Sequence, residues 1–356
     1  MRGSKTIVFI SALLFNILVS GAVAAATGFN PVAVFATGGA LSAFLKPMQG
    51  VLPMAVEKEI WINSIVEGLF ADNSFLAKAF DADEFVQQGK TVHIPNAGAP
   101  SNVVKNRNVF PAAVTSRTDI DLTFDLDNYS TDPIKINLAE TVELSYNKRE
   151  SVLRQDKAKL NQEISEGVLL SWFTGATATI KTTGAEVLAH TPSATLNRLA
   201  FTKADVKAAM DKFNVEDVPA DGRYMLIDAV MYGQLIDSMT DKDSTAFHAA
   251  ADVKNGIVGR LYGFDFMMRS RVGRYTGAGV VKAWVTAGSA TDKAAALAWH
   301  TNSVCRALGE SLMREDLNSP TYYGDIYSFE VRAGGRAMRD DVKGLLAIVQ
   351  DVPAAG

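Results

Sequence analysis

The apolar and polar positions change period several times along the chain, and each change outlines an element. No residue between Lys5 and Lys46 is charged. Within that stretch Ile7, Val8, Phe9, Ile10, Leu13, Leu14 and Phe15 form an apolar run, and small residues follow at Ala22-Val23-Ala24-Ala25. After a positive start, this is the pattern of a secretory signal peptide or a short membrane helix. The second apolar stretch, Phe29 to Leu45, is interrupted by Pro31 and Gly38-Gly39 and makes a poor spanning helix. It favours an apolar arm, or a leader removed on maturation. Both readings of residues 1–55 stay open.

From Val56 the period is helical. Trp61, Ile62, Ile65, Val66, Leu69 and Phe70 share one stripe, so a helix is expected over Val56 to Phe70. A short turn should follow at Ser74 to Phe80, with Phe75, Leu76 and Phe80 inward. The period then falls to two. Val92 and Ile94 share a face, a polar stretch runs from Asn96 to Thr118, and Ile120, Leu122, Phe124 and Leu126 alternate with Asp121, Thr123, Asp125 and Asp127. Ile134, Ile136 and Leu138 repeat the pattern. Residues 89–140 thus read as an extended β unit carrying a long loop.

Ser145 to Phe173 returns to helical spacing, with Val152, Leu153, Leu160, Ile164, Val168 and Trp172 on one stripe and charges on the other faces. No proline interrupts it, and at about 1.5 Å per residue it spans roughly 40 Å. Gly175 to Thr195 reads as an insertion or short hairpin. Thr202 to Asp205 forms a capping box that starts a helix with Val206, Ala209, Met210 and Phe213 inward. Arg223 to Ile227 is a buried strand, and Asp228 caps a helix running through Ile236. Glycine turns near Gly256 and Gly263 feed further strands, the last at Leu345 to Val349. Helices and strands mix without regular βαβ alternation, so the class is α+β.

Composition narrows the function. A chain of 356 residues allows two or three compact units. Thirty-five basic against 39 acidic residues give −4, without the basic excess of a protein that grips nucleic acid. The single cysteine, Cys305, excludes an intrachain disulfide, and His93, His190, His248 and His300 lie too far apart for a zinc pattern.

The candidate chemical motifs fail on spacing. Gly89-Lys90-Thr91 resembles the end of a phosphate loop, but Glu84 stands where the loop needs glycine, and a strand follows in place of a helix. Asp119, Asp121, Asp125 and Asp127 lack the glycine and late glutamate of a calcium loop and fit a solvated strand face. The glycines at 273, 277 and 279 are wrongly spaced for a nucleotide loop. Arg332, Arg336 and Arg339 form a small basic cluster, read as surface arginines pairing with Asp340 and Asp341. No Gly-x-Ser-x-Gly turn occurs, and Cys305 with His300 lacks an orienting third group. No catalytic, cofactor or metal residue is expected.

The order of the parts carries more than any motif. Glu59 to Phe70 followed by Gly89 to Pro95, Thr131-Asp-Pro-Ile134 leading to Glu143 to Arg149, Val218 to Ile227, and Gly256 to Phe264 together resemble the major capsid proteins of tailed bacteriophages, the Hong Kong 97 fold, and most of all coats of phages infecting Bacteroidetes. The resemblance spans roughly Val56 to Gln350. It implies an N-terminal arm or leader (1–55), N-terminal helices (56–88), an extended loop overlapping a neighbouring subunit (89–140), a peripheral domain with its spine helix (141–200), an axial domain (201–323), and C-terminal strands returning to the peripheral domain (324–356). It also implies self-assembly into pentamers and hexamers of an icosahedral shell, built in the host cytoplasm around double-stranded DNA held without sequence-specific contacts. Scaffold, portal and decoration proteins are the further partners it suggests. The uncharged N-terminus departs from the polar, charged arms common in the family. Lys90, Lys105, Arg107, Asp121, Asp125, Arg149 and Arg154 are the candidates for charge pairing between subunits. Two other readings remain. One is an encapsulin-like compartment on the same fold. The other is a secreted or membrane-anchored binding protein that uses residues 6–26 for export or anchoring.

Overall fold

In the computed structural model the described residues are 74–87, 90–96, 98, 101–108, 110–112, 114, 116–137 and 148–353. The expected helix over Val56 to Phe70, the arm before it, Gly89 and Leu138 lie outside them.

The long helix, α1, runs Lys148–Gly175. Leu160, Ile164, Val168 and Trp172 are buried at four-residue steps, as the stripe predicts, and Leu169 and Phe173 widen the buried face. Trp172 anchors it. Phe75 meets its ring edge-on at 5.8 Å, Trp299 lies 5.7 Å away, and its indole N–H donates to the Cys305 carbonyl at 3.0 Å. Such pairs add about 0.5–1.5 kcal/mol beyond the area they bury.

Two sheets pack against α1. The first, of five strands, is built on a long hairpin of β15 (Val304–Ser319) and β16 (Gly324–Ala337). Its other members are β1 (Phe80–Asp81) beside β15, and β5 (Asp127–Ser130) and β6 (Ile134–Asn137), both beside β16. The second sheet has the order β11-β12-β10-β14-β17-β7, with β13 also paired to β14. These strands are β7 (Thr179–Lys181), β10 (Arg223–Asp228), β11 (Ile257–Leu261), β12 (Phe264–Arg269), β13 (Gly273–Tyr275), β14 (Lys293–His300) and β17 (Leu345–Val349).

The second sheet is covered on both faces, and the pleat sorts its side chains between two cores. Ala295, Leu297, Trp299, Leu345 and Ala347 join the α1 core. Their alternates Ala294, Ala296, Ala298, Leu346 and Ile348 join a core built with α2 (Lys203–Val215), α3 (Ala229–Asp237) and α4 (Asp241–Ala249). That is why β14 and β17 read as continuous apolar runs. Thr202 and Asp205 form the expected box, with the Thr202 N–H donating to the Asp205 carboxylate at 2.8 Å, and Asp228 accepts from the Met231 N–H at 2.7 Å at the start of α3. Gly273 is required by packing, because a Cβ there would run into the Phe173 ring.

The sheets do not follow two boundaries expected from chain order. The β15–β16 hairpin lies across the division at 323/324, and β17 sits between β14 and β7 in the second sheet, away from β16. Strand partners are set by register and by which face each strand buries, and neither is visible from order alone. The Thr- and Ala-rich stretch after α1 supplies edge strand β7 and then a small hairpin of β8 (Glu186–Leu188) and β9 (Asn197–Leu199).

Candidate assembly surfaces

A third sheet carries the extended loop: β2 (Val86–Gln87), β3 (Thr91–Asn96) and β4 (Ile120–Asp125). Its inner face holds Val92 and Ile94, which pack with Leu126, Ala82, Cys305 and Ala307. Its outer face carries the acids. The Thr91 hydroxyl donates to Asp125 at 2.7 Å, directly across the ladder, and His93 Nδ1 lies 2.8 Å from Asp121 on the diagonal. Arg117 and the Gly98 N–H both reach Asp119, at 2.5 and 2.9 Å, which holds its carboxyl below the usual aspartate range. Asp121 and Asp125, candidates for pairing between subunits, are therefore engaged inside the hairpin.

The loop between β3 and β4 leaves the body of the chain. Val103, Phe110 and Val114 are 91, 74 and 98% exposed. Lys105 and Arg107 lie between them, exposed and without an ion-pair partner among the described residues. Lys90, exposed at the base of β3, and Arg154, exposed on α1, are in the same condition. Arg149 falls in the first turn of α1, and its side chain lies outside the described residues. The seven candidates thus divide between the hairpin, its loop and the helix and do not form one cluster.

A surface that the sequence reading passed over lies beside α1. A groove of about 570 Å³ opens between the helix and the segment from β5 to β6, lined by Tyr129, Asp132, Ile134, Asp156, Leu160 and Glu163 among others. Burial pushes the Asp156 carboxyl up, and no hydrogen-bond or ion-pair partner faces it among the described residues. Burial, with Asp127 and Glu163 nearby, pushes the Tyr129 phenol up to about 12. Glu163 is paired with Lys159 at 2.6 Å. The signal was present in the sequence: Asp156 occupies the step between Val152 and Leu160, so a carboxylate interrupts the apolar stripe.

Elsewhere the polar groups serve the fold. Asp292 receives Lys282 at 2.8 Å, while Arg274 donates to the carbonyls of Ala283 and Thr286, tying down the loop after β13. Of the basic cluster, Arg339 holds Asp341 at 2.7 Å as expected, whereas Arg336 donates to the Thr123 carbonyl at 2.9 Å. Burial raises the Cys305 thiol to about 11, far from the thiolate a nucleophile needs. Among the described residues no three His, Cys, Asp or Glu side chains group to hold a metal, and no helix is long and apolar enough to cross a membrane.

No protein-family model matches the sequence, and no curated protein does either. Solved structures do match in fold. A structure of Mycobacterium phage Che8 covers 77% of this chain and 90% of its own, at 14% identity and a TM-score of 0.51. The capsid of cyanophage P-SCSP1u covers 74% and 84%, at 14% identity and 0.53. The capsid of Ralstonia phage GP4 covers 78% and 89%, at 12% identity and 0.53. The chain has the Hong Kong 97-type α+β fold, in common with these phage structures.

Proposed function

We propose that this chain is the major capsid protein of a tailed bacteriophage, which assembles with copies of itself into the pentamers and hexamers of an icosahedral shell around double-stranded DNA. The observation that carries the reading is the fold, shared with phage capsids over about three quarters of the chain. The β3–β4 loop supports it. A loop that projects Val103, Phe110 and Val114 into solvent gains stability only against another surface. In this reading residues 89–140 overlap a neighbouring subunit, α1 is the spine of the peripheral domain, and the sheet carrying α2 to α4 forms the axial domain. Residues 1–55 act as arm or leader. This reading places the chain with coats of Bacteroidetes-infecting phages, has assembly take place in the host cytoplasm, and gives scaffold and portal proteins a part in it. The chain has no catalytic role.

Size-exclusion chromatography and negative-stain microscopy of the full chain, with and without scaffold, test this. Closed shells or capsomers are expected. A monomer under every assembly condition overturns the reading.

A further inference from the structure

We propose that the cavity between α1 and the loop after β13 is a binding site for a small, neutral aromatic molecule that carries a hydrogen-bond acceptor. The site goes beyond the shell reading and does not depend on it, because its walls belong to one chain.

Size and walls come first. The cavity holds about 180 Å³, and Tyr129, Leu170, Phe173, Val272, Val281 and Trp284 line it. An apolar cavity of about 150 Å³ is enough to take up benzene, so this one fits a single ring with a small substituent. The space is preformed. Gly167 lets the Tyr129 phenol lie against α1, where a Cβ would run into its hydroxyl. Across from it the loop is tied down. Arg274 donates to the carbonyls of Ala283 and Thr286, and the Trp284 indole N–H donates to the Val272 carbonyl at 3.4 Å. The guanidinium groups of Arg271 and Arg274 lie 5.8 and 5.2 Å from the Trp284 ring centre, which holds that wall in place.

Charge and hydrogen bonding then define the ligand. The ionised side chains on the lining are paired within the chain: Glu163 with Lys159, Glu166 with Arg271, and both Lys282 and Arg274 with Asp292. A charged ligand meets no free counter-charge there, and its desolvation goes uncompensated. Two donors remain open. Arg274 is 1% exposed, and its Nε–H has no acceptor among the described residues. The half-buried Tyr129 hydroxyl has no hydrogen-bond partner among them either. A buried donor without an acceptor is a cost that a carbonyl or ether oxygen on the ligand removes, while the ring packs edge or face against Phe173 and Trp284.

The test titrates acetophenone, a neutral ring with one carbonyl acceptor, into the unassembled full chain. Calorimetry reads the affinity, and nuclear Overhauser effects to labelled methyl groups read the place. Saturable binding with a Kd of about 1 mM or tighter is expected, with contacts to Leu170, Val272 and Val281. Ethylbenzene, of similar size without the acceptor, should bind about fivefold more weakly, and benzoate should bind more weakly still. Tyr129→Phe removes one donor and should bring the two neutral ligands within about twofold of each other. Leu170→Trp fills the cavity and should abolish binding, with circular dichroism confirming that both variants fold. If Leu170→Trp does not fold, the methyl contacts and Tyr129→Phe decide. No saturable binding, contacts only to methyl groups elsewhere, or unchanged binding in folded Leu170→Trp overturns the assignment. So does binding to free subunits that vanishes in assembled shells, which gives the cavity to a side chain of a neighbouring copy. Since binding is measured on the unassembled chain, its failure leaves the shell reading standing, and a chain that never assembles leaves this site standing.

Discussion

The sheet running from β11 to β7 and the β3–β4 loop are built from similar residue types and end in opposite conditions. Strand β14 buries seven consecutive residues, Ala294 to His300. Both its faces meet helices of the same chain. The loop exposes valines and a phenylalanine almost completely. One region satisfies its apolar surface within a single chain, and the other leaves apolar side chains in solvent, which the proposed shell reading assigns to a contact between copies. Stability of the subunit should therefore depend on the first region, and assembly on the second.

The sharpest way to break that division is at Trp172, where both sheets and Phe75 meet. Trp172→Ala should cost about 3–5 kcal/mol in denaturant unfolding, since it opens a cavity and strands the Cys305 carbonyl. A cost near zero would mean that the α1 core is not what holds the subunit. Gly273→Val should cost about 1–3 kcal/mol by forcing the Phe173 ring aside. Asp228→Ala should cost about 1–3 kcal/mol by removing both the cap on α3 and the partner of His190, and Asp228→Ser should recover only the cap's share of about 1 kcal/mol.

Acid offers a smaller test. Arg339 holds the Asp341 carboxyl down to about 2, against an ordinary value of 3.8. A depressed carboxylate stabilises the fold above its unfolded value and loses that contribution as pH falls from about 4 towards 2. The pair is well exposed, so screening leaves under about 1 kcal/mol. Unfolding midpoints measured across that window should converge for wild type and Asp341→Asn at the acid end.

The smallest effect on folding belongs to the loop. Phe110→Ser with Val103→Ser should change subunit stability by no more than about 0.5 kcal/mol, while shell yield falls sharply. A large loss of subunit stability would show that the loop packs on its own chain, and the contrast between the two regions would collapse.

Much of the fold was legible in the sequence because periodicity is a local property. The α1 stripe, the Thr202 box, the Asp228 cap and the alternation of β3 and β4 all stand where their spacing puts them. The candidate surface was legible only in part. Lys105 and Arg107 were singled out by charge, and they do project from the loop. Asp121 and Asp125 were singled out for the same reason, yet they bond to His93 and Thr91, which come into reach only through the register of the hairpin.

The sequence by itself determined which faces are apolar, where helices start, and that no familiar catalytic spacing is present, since each of these depends on neighbours within a few positions. Only the tertiary structure decided that β15 pairs with β16 across an expected boundary, that β17 crosses to the other sheet, and that Asp156 is left half-buried beside an open groove. Those outcomes depend on which distant segments compete for the same buried surface. The packing of the whole chain resolves that competition, and no local pattern records it.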